Sequence, residues 1–468
     1  MEDPFESFAD PELQELVHRF QETLSTNRAQ FFDLDEFEDI LEYALFHHQP
    51  DLFNQALDAG LKQHPGTLSL LLKQVQYFIN INREESALKL LADTEGHIST
   101  DREVHLLRGS LYSQLNKHEK AISEYKKGNH ESADQDEIYT NIAFEYENLG
   151  KFDKAMEYLI MALNLNPENE AALFELSFCC EINQQTDKII NYLVAFLDLH
   201  PYNKSAWFNL GIAYSNQELY ERAIEAYDFT IAIDETYASA YFNKANCYAN
   251  LNQFGNAIET YLETFRYEDP EPLTYYYIAE CYEKQRQFEF AIDHYKKAVH
   301  MDPEFADAWV GIGICFDEMN KPAVAYPYLK KAVALSPTLP EYWFILGDIQ
   351  IKLNRYTEGI DSYRKVIELD PADPDIWMDL SIVYANLQEY DEALQTLEEG
   401  LKHHGNQPDL YYSMAYMLIL KGKNKQAQSW LSRAMSMDAE GYKRLFSTFP
   451  EAGKHPAVVD MIASCRKG

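Results

Sequence analysis

The stretch AWFNLGIAY, Ala206–Tyr214, decides the fold because related stretches recur along the chain. If the stretch occurred once, its aromatic residues, with an asparagine two residues before a glycine, would suit a ligand pocket. Steps of 34 residues from Trp207, in both directions, reach large apolar residues at eleven of twelve positions. The twelve are Phe37, Leu71, His105, Tyr139, Leu173, Trp207, Tyr241, Tyr275, Trp309, Trp343, Trp377 and Tyr411. A fixed period of this length indicates an array of repeats.

Other positions of the repeat keep the same spacing. Four residues after the bulky position, ten of twelve units carry Gly, Ala or Ser, and sixteen residues after it nine units carry Ala. Apolar residues at helical spacing predict two amphipathic helices in each unit, with the small residues where the two helices approach closely. One helix pair cannot bury its apolar face alone, so the pairs should stack on one another.

This pattern resembles the tetratricopeptide repeat (TPR) family, and in particular long, all-repeat proteins of the bacterial type. The resemblance covers residues 34–441 as twelve tandem units without insertion or deletion. It implies an all-α fold, a right-handed superhelical solenoid of 34-residue helix-turn-helix repeats. The predicted units begin at residues 34, 68, 102, 136, 170, 204, 238, 272, 306, 340, 374 and 408.

Both ends of the array are predicted to carry capping helices, because the last face of a solenoid needs a cover. Residues 1–33 form an acidic segment in which Asp10 is the expected N-cap and Pro11 the first helical residue. Residues 442–468 are predicted to form the C-terminal capping helices. The apolar stripe expected on the first capping helix comprises Leu13, Leu16, Val17, Phe20 and Leu24.

Composition restricts the classes of partner. The 468 residues are 46% hydrophobic and carry a formal net charge of −36. An acidic surface repels nucleic-acid phosphates and anionic lipids, and no apolar run approaches the roughly 20 residues that span a bilayer. We therefore expect no nucleic-acid partner and no membrane insertion. Without a secretory signal pattern, and with only six cysteines, a cytoplasmic location is predicted.

The sequence offers little sign of catalysis. Cys179, Cys247, Cys281 and Cys315 share one phase of the repeat, which favours core packing over a disulfide or a metal site. The chain lacks the familiar nucleotide-binding, zinc-protease and serine-hydrolase motifs. Repeats and caps account for essentially all of it. The prediction is a protein that is not an enzyme and needs no cofactor or metal.

The resemblance implies that the first helix of each unit lines a concave groove in which ligands of the family usually bind. The residue after the bulky position should face this groove, and the next residue carries an asparagine in three units. Some family members hold peptide backbone with a ladder of such asparagines; here Glu175 interrupts the ladder, and inter-unit packing is the alternative reading. The candidate peptide-binding residues are Asn141, Phe174, Glu175, Phe208, Asn209, Phe242, Asn243, Tyr276, Glu280 and Asp348.

Carboxylates beside aromatic rings indicate the chemistry of the ligand. Glu147, Glu181, Glu280, Glu283, Asp317, Glu318 and Asp348 fall at further inward phases of the repeat. Such a surface suits a basic or mixed-charge extended peptide through ion pairs and cation–π contacts, although a solvated acidic face is the alternative. Family members that grip the acidic tail of a heat-shock protein use a lysine clamp. No unit here has a lysine at the matching first position, which argues against that class of partner.

The leading hypothesis is therefore an adaptor or scaffold that binds an extended segment of another protein. The alternative is a structural element that self-assembles weakly through its ends. The first 50 residues hold thirteen Asp and Glu against two Lys and Arg, whereas residues 420–468 hold nine Lys and Arg against four Asp and Glu. An acidic head could pair with the basic tail of another copy.

Overall fold

The computed structural model describes residues 11–26, 30–47, 49–65, 67–81, 83–93, 102–129 and 134–465. Within these ranges the regular structure consists of 27 α-helices and one short 3-10 helix, and there is no strand. Twenty-four of the α-helices form twelve pairs, each with a first (A) helix and a second (B) helix. The predicted all-α repeat fold is confirmed.

The A helices have even numbers and begin at intervals of 33 to 35 residues. They are α2 (Leu34–Phe46), α4 (Leu68–Asn80), α6 (Arg102–Gln114), α8 (Gln135–Asn148), α10 (Glu170–Ile182), α12 (Lys204–Asn216), α14 (Ala238–Asn250), α16 (Pro272–Lys284), α18 (Ala306–Glu318), α20 (Pro340–Lys352), α22 (Pro374–Asn386) and α24 (Pro408–Leu420).

The B helices follow with odd numbers. They are α3 (Pro50–Gln63), α5 (Glu84–Asp93), α7 (His118–Gly128), α9 (Phe152–Leu165), α11 (Thr186–Leu199), α13 (Tyr220–Ile233), α15 (Phe254–Thr264), α17 (Phe288–Met301), α19 (Pro322–Leu335), α21 (Tyr356–Leu369), α23 (Tyr390–His403) and α25 (Asn424–Met437). The flanking elements are α1 (Pro11–Thr26), α26 (Tyr442–Thr448), the 3-10 helix Ala452–Lys454 and α27 (Pro456–Cys465).

The chain forms two compact units, Met1–Glu235 (unit 1) and Thr236–Gly468 (unit 2). Inside each unit, an A helix packs on its own B helix and the B helix packs on the next A helix. Each helix pair thereby gains the second apolar surface that it cannot supply itself.

The small residue of each A helix sets the distance to its B helix. A Cβ added to Gly211 would lie 2.5 Å from the ring of Tyr227, which is buried on α13. Gly347 faces Tyr363 in the same way, with a Cβ placed 2.6 Å from the ring. These rings therefore occupy the space that the missing side chain leaves.

The bulky position has a second task in the units that carry tryptophan. The indole N–H of Trp207 donates to the carbonyl of Pro201, at 2.9 Å, and Trp343 donates to the carbonyl of Pro337 at the same distance. Trp309 and Trp377 make the corresponding bonds. The ring thus packs between helices while its polar edge fixes the turn that precedes the A helix.

The turn from A helix to B helix has one backbone geometry throughout residues 102–465. Ten residues at 34-residue spacing have positive φ, and the next N–H bonds the carbonyl five residues before it, as Leu219 does to Tyr214 at 2.9 Å. This is a Schellman C-cap. The ten are Asn116, Gly150, Gln184, Glu218, Asn252, Arg286, Asn320, Asn354, Gln388 and Gly422.

Helices at both ends cover the array. Val17 and Phe20 of α1 are buried, and the Phe20 ring meets Phe32 edge-on at 5.5 Å. Leu13 and Leu16 pack against the same core, whereas Leu24 is 40% exposed. Leu445 of α26, together with Val458 and Ile462 of α27, joins the core of α24 and α25. The expected N-cap, Asp10, lies outside the described residues.

The four cysteines of the shared phase are buried, and their thiols are free. Their prediction as core residues is confirmed.

The left-handed turn predicts opposite effects of alanine at two glycines. A Cβ at Gly150 or at Gly255 would meet nothing within 4 Å, but only Gly150 has positive φ, at 67°. We expect Gly150→Ala to destabilise the protein by about 1 kcal/mol. Gly255→Ala should stabilise it by about 0.5 kcal/mol, because alanine restricts the unfolded chain. Thermal and urea midpoints followed by circular dichroism test this; shifts of the same sign would contradict it.

Close approach of A and B helices predicts a different cost. Gly211→Ala should destabilise unit 1 by roughly 1–3 kcal/mol, because its Cβ overlaps the buried Tyr227 ring. Gly405→Ala is the control, since a Cβ there meets only the Leu401 carbonyl oxygen, at 3.7 Å. Urea denaturation of both variants gives the comparison, and equal midpoints would show that the ring moves aside without cost.

Candidate functional site

The main candidate site is a set of carboxylate side chains on the A helices of unit 2. Five carboxylates, named here the acidic row, come from four successive A helices. They are Glu280 and Glu283 of α16, Asp307 of α18, Asp348 of α20 and Asp379 of α22.

Tyrosine hydroxyls hold the first two carboxylates. The Tyr276 hydroxyl donates to Glu280 Oε1 at 3.0 Å, one turn along the same helix. The Tyr295 hydroxyl reaches across from α17 and donates to Glu283 Oε2 at 2.8 Å. Burial, and then the neighbouring Glu283 carboxylate, raise the pKa of Tyr295. The phenol therefore stays protonated and remains a donor.

Tyrosines also hold the next two carboxylates. The Tyr342 hydroxyl donates to Asp307 Oδ1, which links α20 to α18. The Tyr363 hydroxyl donates to Asp348 Oδ1 from the B helix α21. An ionised carboxylate has about four lone-pair sites, so each still has capacity for a further donor.

Negative charge in the row is poorly compensated. Burial raises the pKa of Glu280 and of Asp348 above their ordinary values. Burial, followed by repulsion from Asp348, raises the pKa of Asp379 to about 6. Within the part of the chain that the structure describes, no member of the acidic row forms an ion pair. An incoming cation would relieve both the desolvation and the repulsion.

Two nearby cations are paired with other carboxylates, whereas a third, Lys284, lowers the pKa of Glu280 without forming an ion pair with it. Lys352 Nζ lies 2.6 Å from Asp317 Oδ2, and Arg286 lies 3.1 Å from Glu318. Asp317 and Glu318, which the sequence placed at inward phases, are thus neutralised by the protein itself. The acidic row keeps its charge for a ligand.

Unit 1 has a smaller carboxylate pair. Glu147 of α8 and Glu175 of α10 are hydrogen-bonded to each other, and the Cys179 thiol donates to Glu147 Oε1 at 3.2 Å. Burial raises the pKa of Glu147 to about 7 and also raises that of Glu175. Beside them the Phe174 side chain is 57% exposed.

The other candidate residues differ in exposure. Asn141 is exposed, Phe208 and Asn243 are half-buried, and Phe242 packs edge-on against Tyr261 with centroids 5.5 Å apart. Tyr276, Glu280 and Asp348 belong to the acidic row and its tyrosines. Of the ten residues, the structure joins only Tyr276 and Glu280 by a direct hydrogen bond.

Asn209 is buried, whereas its position in the repeat predicted that it would face the groove. The side chain is 4% exposed, and its amide donates to the Ser205 carbonyl at 2.8 Å, within its own helix. Its Oδ1 atom is buried without a hydrogen-bond partner. The side-chain amide is therefore bonded within α12 and is not presented at the surface. A role for the three asparagines in binding peptide remains a prediction.

Sequence reasoning missed Asp307 and Asp379. Asp379 occupies the same phase as Asn209, five units further on, and would have been found by following that phase along the chain. At this phase α18 has Gly311, where a Cβ would collide with the Tyr295 ring. The Tyr295 ring therefore leaves no space for an asparagine side chain in α18.

Two further properties of the described residues bear on function. Among the helices in the described ranges, none combines the length and the apolar character needed to cross a membrane. In those same ranges, no group of three or more His, Cys, Asp or Glu side chains is placed to hold a metal ion.

Comparison with solved structures finds many helical-repeat proteins. The C-terminal part of a TPR repeat-containing protein from Cytophaga hutchinsonii is 18% identical, with a TM-score of 0.46, over 55% of this chain and 99% of that one. A chain of the APC/C hetero-tetramer Cut9–Hcn1 is 13% identical, with a TM-score of 0.36, over 93% and 96%. YrrB, described as a TPR protein with an unusual peptide-binding site, is 17% identical, with a TM-score of 0.33, over 38% and 92%.

Among curated proteins, no sequence matches the chain. Family models described as tetratricopeptide repeat match residues 103–129, 136–169, 190–236, 238–265, 272–305, 316–374 and 351–416, which together exceed half of the chain. With its 34-residue pairs of helices, the chain belongs to the tetratricopeptide repeat family.

Proposed function

We propose that the protein is a non-enzymatic adaptor whose unit 2 binds a basic or mixed-charge segment of another protein along the acidic row. TPR proteins are protein–protein interaction scaffolds and are generally not enzymes. The observation that carries the finer proposal is the acidic row itself: five carboxylates on successive A helices, four of them oriented by tyrosine hydroxyls and none neutralised by a cation of the described chain.

An extended ligand fits the spread of the carboxylates better than a compact one. Packed helices lie about 8–10 Å apart, so four successive A helices place the ends of the row roughly 30 Å from each other. About nine residues of extended chain cover that length. Lysine or arginine at intervals along such a segment could meet carboxylates from more than one helix.

Aromatic rings beside the carboxylates support a cationic ligand. Phe344 stacks on Tyr363, the tyrosine that holds Asp348, with centroids 5.7 Å apart. Tyr276 packs against Tyr295 at 5.6 Å, so two donors of the row form one aromatic cluster. A guanidinium or ammonium group can contact such a ring face while it pairs with the carboxylate.

Self-association through the basic C-terminal end gains no support from the ion pairs. Lys421 pairs with Asp391, Lys443 with Glu440, and Arg444 with Asp409 and Asp438, all within the chain. Cations that are already paired offer less attraction to the acidic head of another copy. Weak self-association stays a prediction from the sequence.

The acidic row predicts selective loss of binding to a basic probe. The probe is a fluorescein-labelled peptide of six Lys-Gly repeats, and binding is followed by anisotropy. The double variant Asp348→Asn/Asp379→Asn should bind it about tenfold more weakly, because two poorly compensated carboxylates lose their charge. Thermal midpoints should not fall, since burial opposes ionisation of both groups.

General attraction between a basic peptide and a protein of charge −36 needs its own control. Asp361→Asn/Glu398→Gln removes the same charge from exposed positions on the B helices α21 and α23. We expect less than a twofold change in affinity for this variant. Equal losses in the two double variants would mean that only net charge matters, and the proposed site would be abandoned.

Binding of the basic probe should also depend on pH. The pKa of Asp379 is about 6, so this group is largely protonated at pH 5.5 and ionised at pH 7.5. The lysines of the probe remain charged throughout, so affinity should rise across this window and level off above it. In Asp379→Asn the rise should shrink. Isothermal titration at several pH values is the measurement, and an affinity that is flat or falls with pH would contradict the assignment.

A further inference from the structure

A second surface, in unit 1, departs from the repeat pattern. A cleft of about 510 Å³ lies between the B helices α11 and α13, with α12 as its floor. We name it the B-helix cleft. The Trp207 and Phe229 rings stack inside it, with centroids 4.3 Å apart and an interplanar angle of 20°. Its apolar lining is Val194, Leu197, Trp207, Leu210, Tyr214 and Phe229.

The repeat supplies an internal comparison for Phe229. The same phase, 22 residues after the bulky position, carries a charged residue in eight of the twelve units and no other aromatic residue. In two of these units a basic side chain covers the bulky ring: Arg433 lies 4.7 Å from the Tyr411 ring centroid, and Lys297 lies 5.3 Å from that of Tyr275. Helix pairs of this array therefore close without an aromatic residue at this position.

Two neighbours of Phe229 depart from the pattern as well. Val194 occupies a phase that is charged in seven of twelve units, and its side chain is 42% exposed. Within residues 34–441 Tyr202 is the only aromatic residue at its phase; it is 84% exposed and follows Pro201, which lines the cleft. Phe229 itself is 51% exposed. Three such apolar residues, exposed to water beside one cleft at positions that are mostly polar in the other units, mark a site that a partner covers.

The charges at the rim indicate what kind of partner. Asp198 and Glu225 line the cleft, are exposed, and pair with no cation of the described chain. The one basic residue of the lining, Arg222, lies over the Tyr214 ring at 5.7 Å from its centroid. An occupant that complements this cleft is apolar at its centre and positively charged beside it.

We propose that the B-helix cleft docks a segment of another protein that inserts a large apolar side chain against Trp207 and Phe229 and places a lysine or arginine next to it, against Asp198 or Glu225. This site is separate from the acidic row. It lies in the other unit, is lined mainly by B helices, and selects for an apolar anchor rather than for charge alone.

The test uses synthetic ten-residue peptides with Trp or Ala at the centre and either lysine or glutamate on both sides. Binding to the full chain is measured by fluorescence anisotropy of a terminal label. The Trp–Lys peptide should bind at least tenfold more tightly than the Ala–Lys and Trp–Glu peptides. Phe229→Lys should remove this preference, because the new lysine would cover the Trp207 ring as Lys297 covers the Tyr275 ring.

Phe229→Lys introduces the residue that four other units carry at this phase, Lys127, Lys297, Lys331 and Lys365, so the fold should persist; circular dichroism checks this. Phe290→Lys is the matched control, since Phe290 of α17 is 57% exposed and lies outside the cleft. It should leave the preference unchanged. In Asp198→Lys/Glu225→Lys the preferred peptide should become Trp–Glu.

Several results would overturn the proposal. One is a Trp–Lys preference that survives Phe229→Lys but disappears in Asp348→Asn/Asp379→Asn, which would place the peptide on the acidic row. Another is the absence of any preference for tryptophan. A third is a sedimentation mass above that of one chain that falls in Phe229→Lys, which would make a second copy the occupant. Loss of acidic-row binding alone leaves the docking result unaffected, so the two proposals fail separately.

Discussion

The contact between the small residue of an A helix and the large side chain of its B helix is the constraint on which the rest of the structure depends. At Gly211 and Gly347 the absent side chain leaves room for Tyr227 and Tyr363, and interiors packed at crystal-like density do not tolerate both a ring and a methyl group there. Ala279 is the corresponding residue opposite Tyr295, and both are buried in one core cluster. The same approach of two helices repeats along the array, so it sets the spacing of everything that the A helices carry.

The acidic row follows from this contact. Because the B-helix tyrosine passes so close to the A helix, its hydroxyl emerges among the A-helix side chains and not in the apolar core. Tyr295 reaches Glu283 and Tyr363 reaches Asp348 in this way, while Tyr261 reaches Asn246 at the equivalent place. The same tyrosine therefore packs the two helices together and donates the hydrogen bond that orients a half-buried carboxylate. Fold and candidate site share the same side chains.

The period made most of the fold predictable, whereas the site was only partly so. Large residues at the Trp207 phase and small ones at the Gly211 phase report steric needs that every unit shares, so twelve copies of the signal reinforce one another. No repeated signal of this kind reports whether one particular side chain is exposed. Asn209 is buried although its phase suggested a surface position, and Asp379 is part of the row although its phase carries residues of many different types in the other units. These outcomes depend on which neighbour fills the local space, as the Tyr295 ring does over Gly311. A one-dimensional pattern does not contain that information.

Departures from the period are consequently more informative about function than the period itself. A charged residue at the phase of Phe229 covers the ring beneath it and stays hydrated through its head group, which is the lower-energy choice for a surface that nothing covers. An aromatic residue there exposes apolar area to water and gains only the stack on Trp207. The same reasoning applies to the acidic row, where carboxylates held by tyrosines take the place of ion pairs that the neighbouring Asp317 and Glu318 do form. In unit 1 the protein leaves an apolar face uncovered by its own residues, and in unit 2 it leaves negative charge without an ion pair. A partner that supplies an apolar side chain or a cation gains binding energy there without displacing any internal contact.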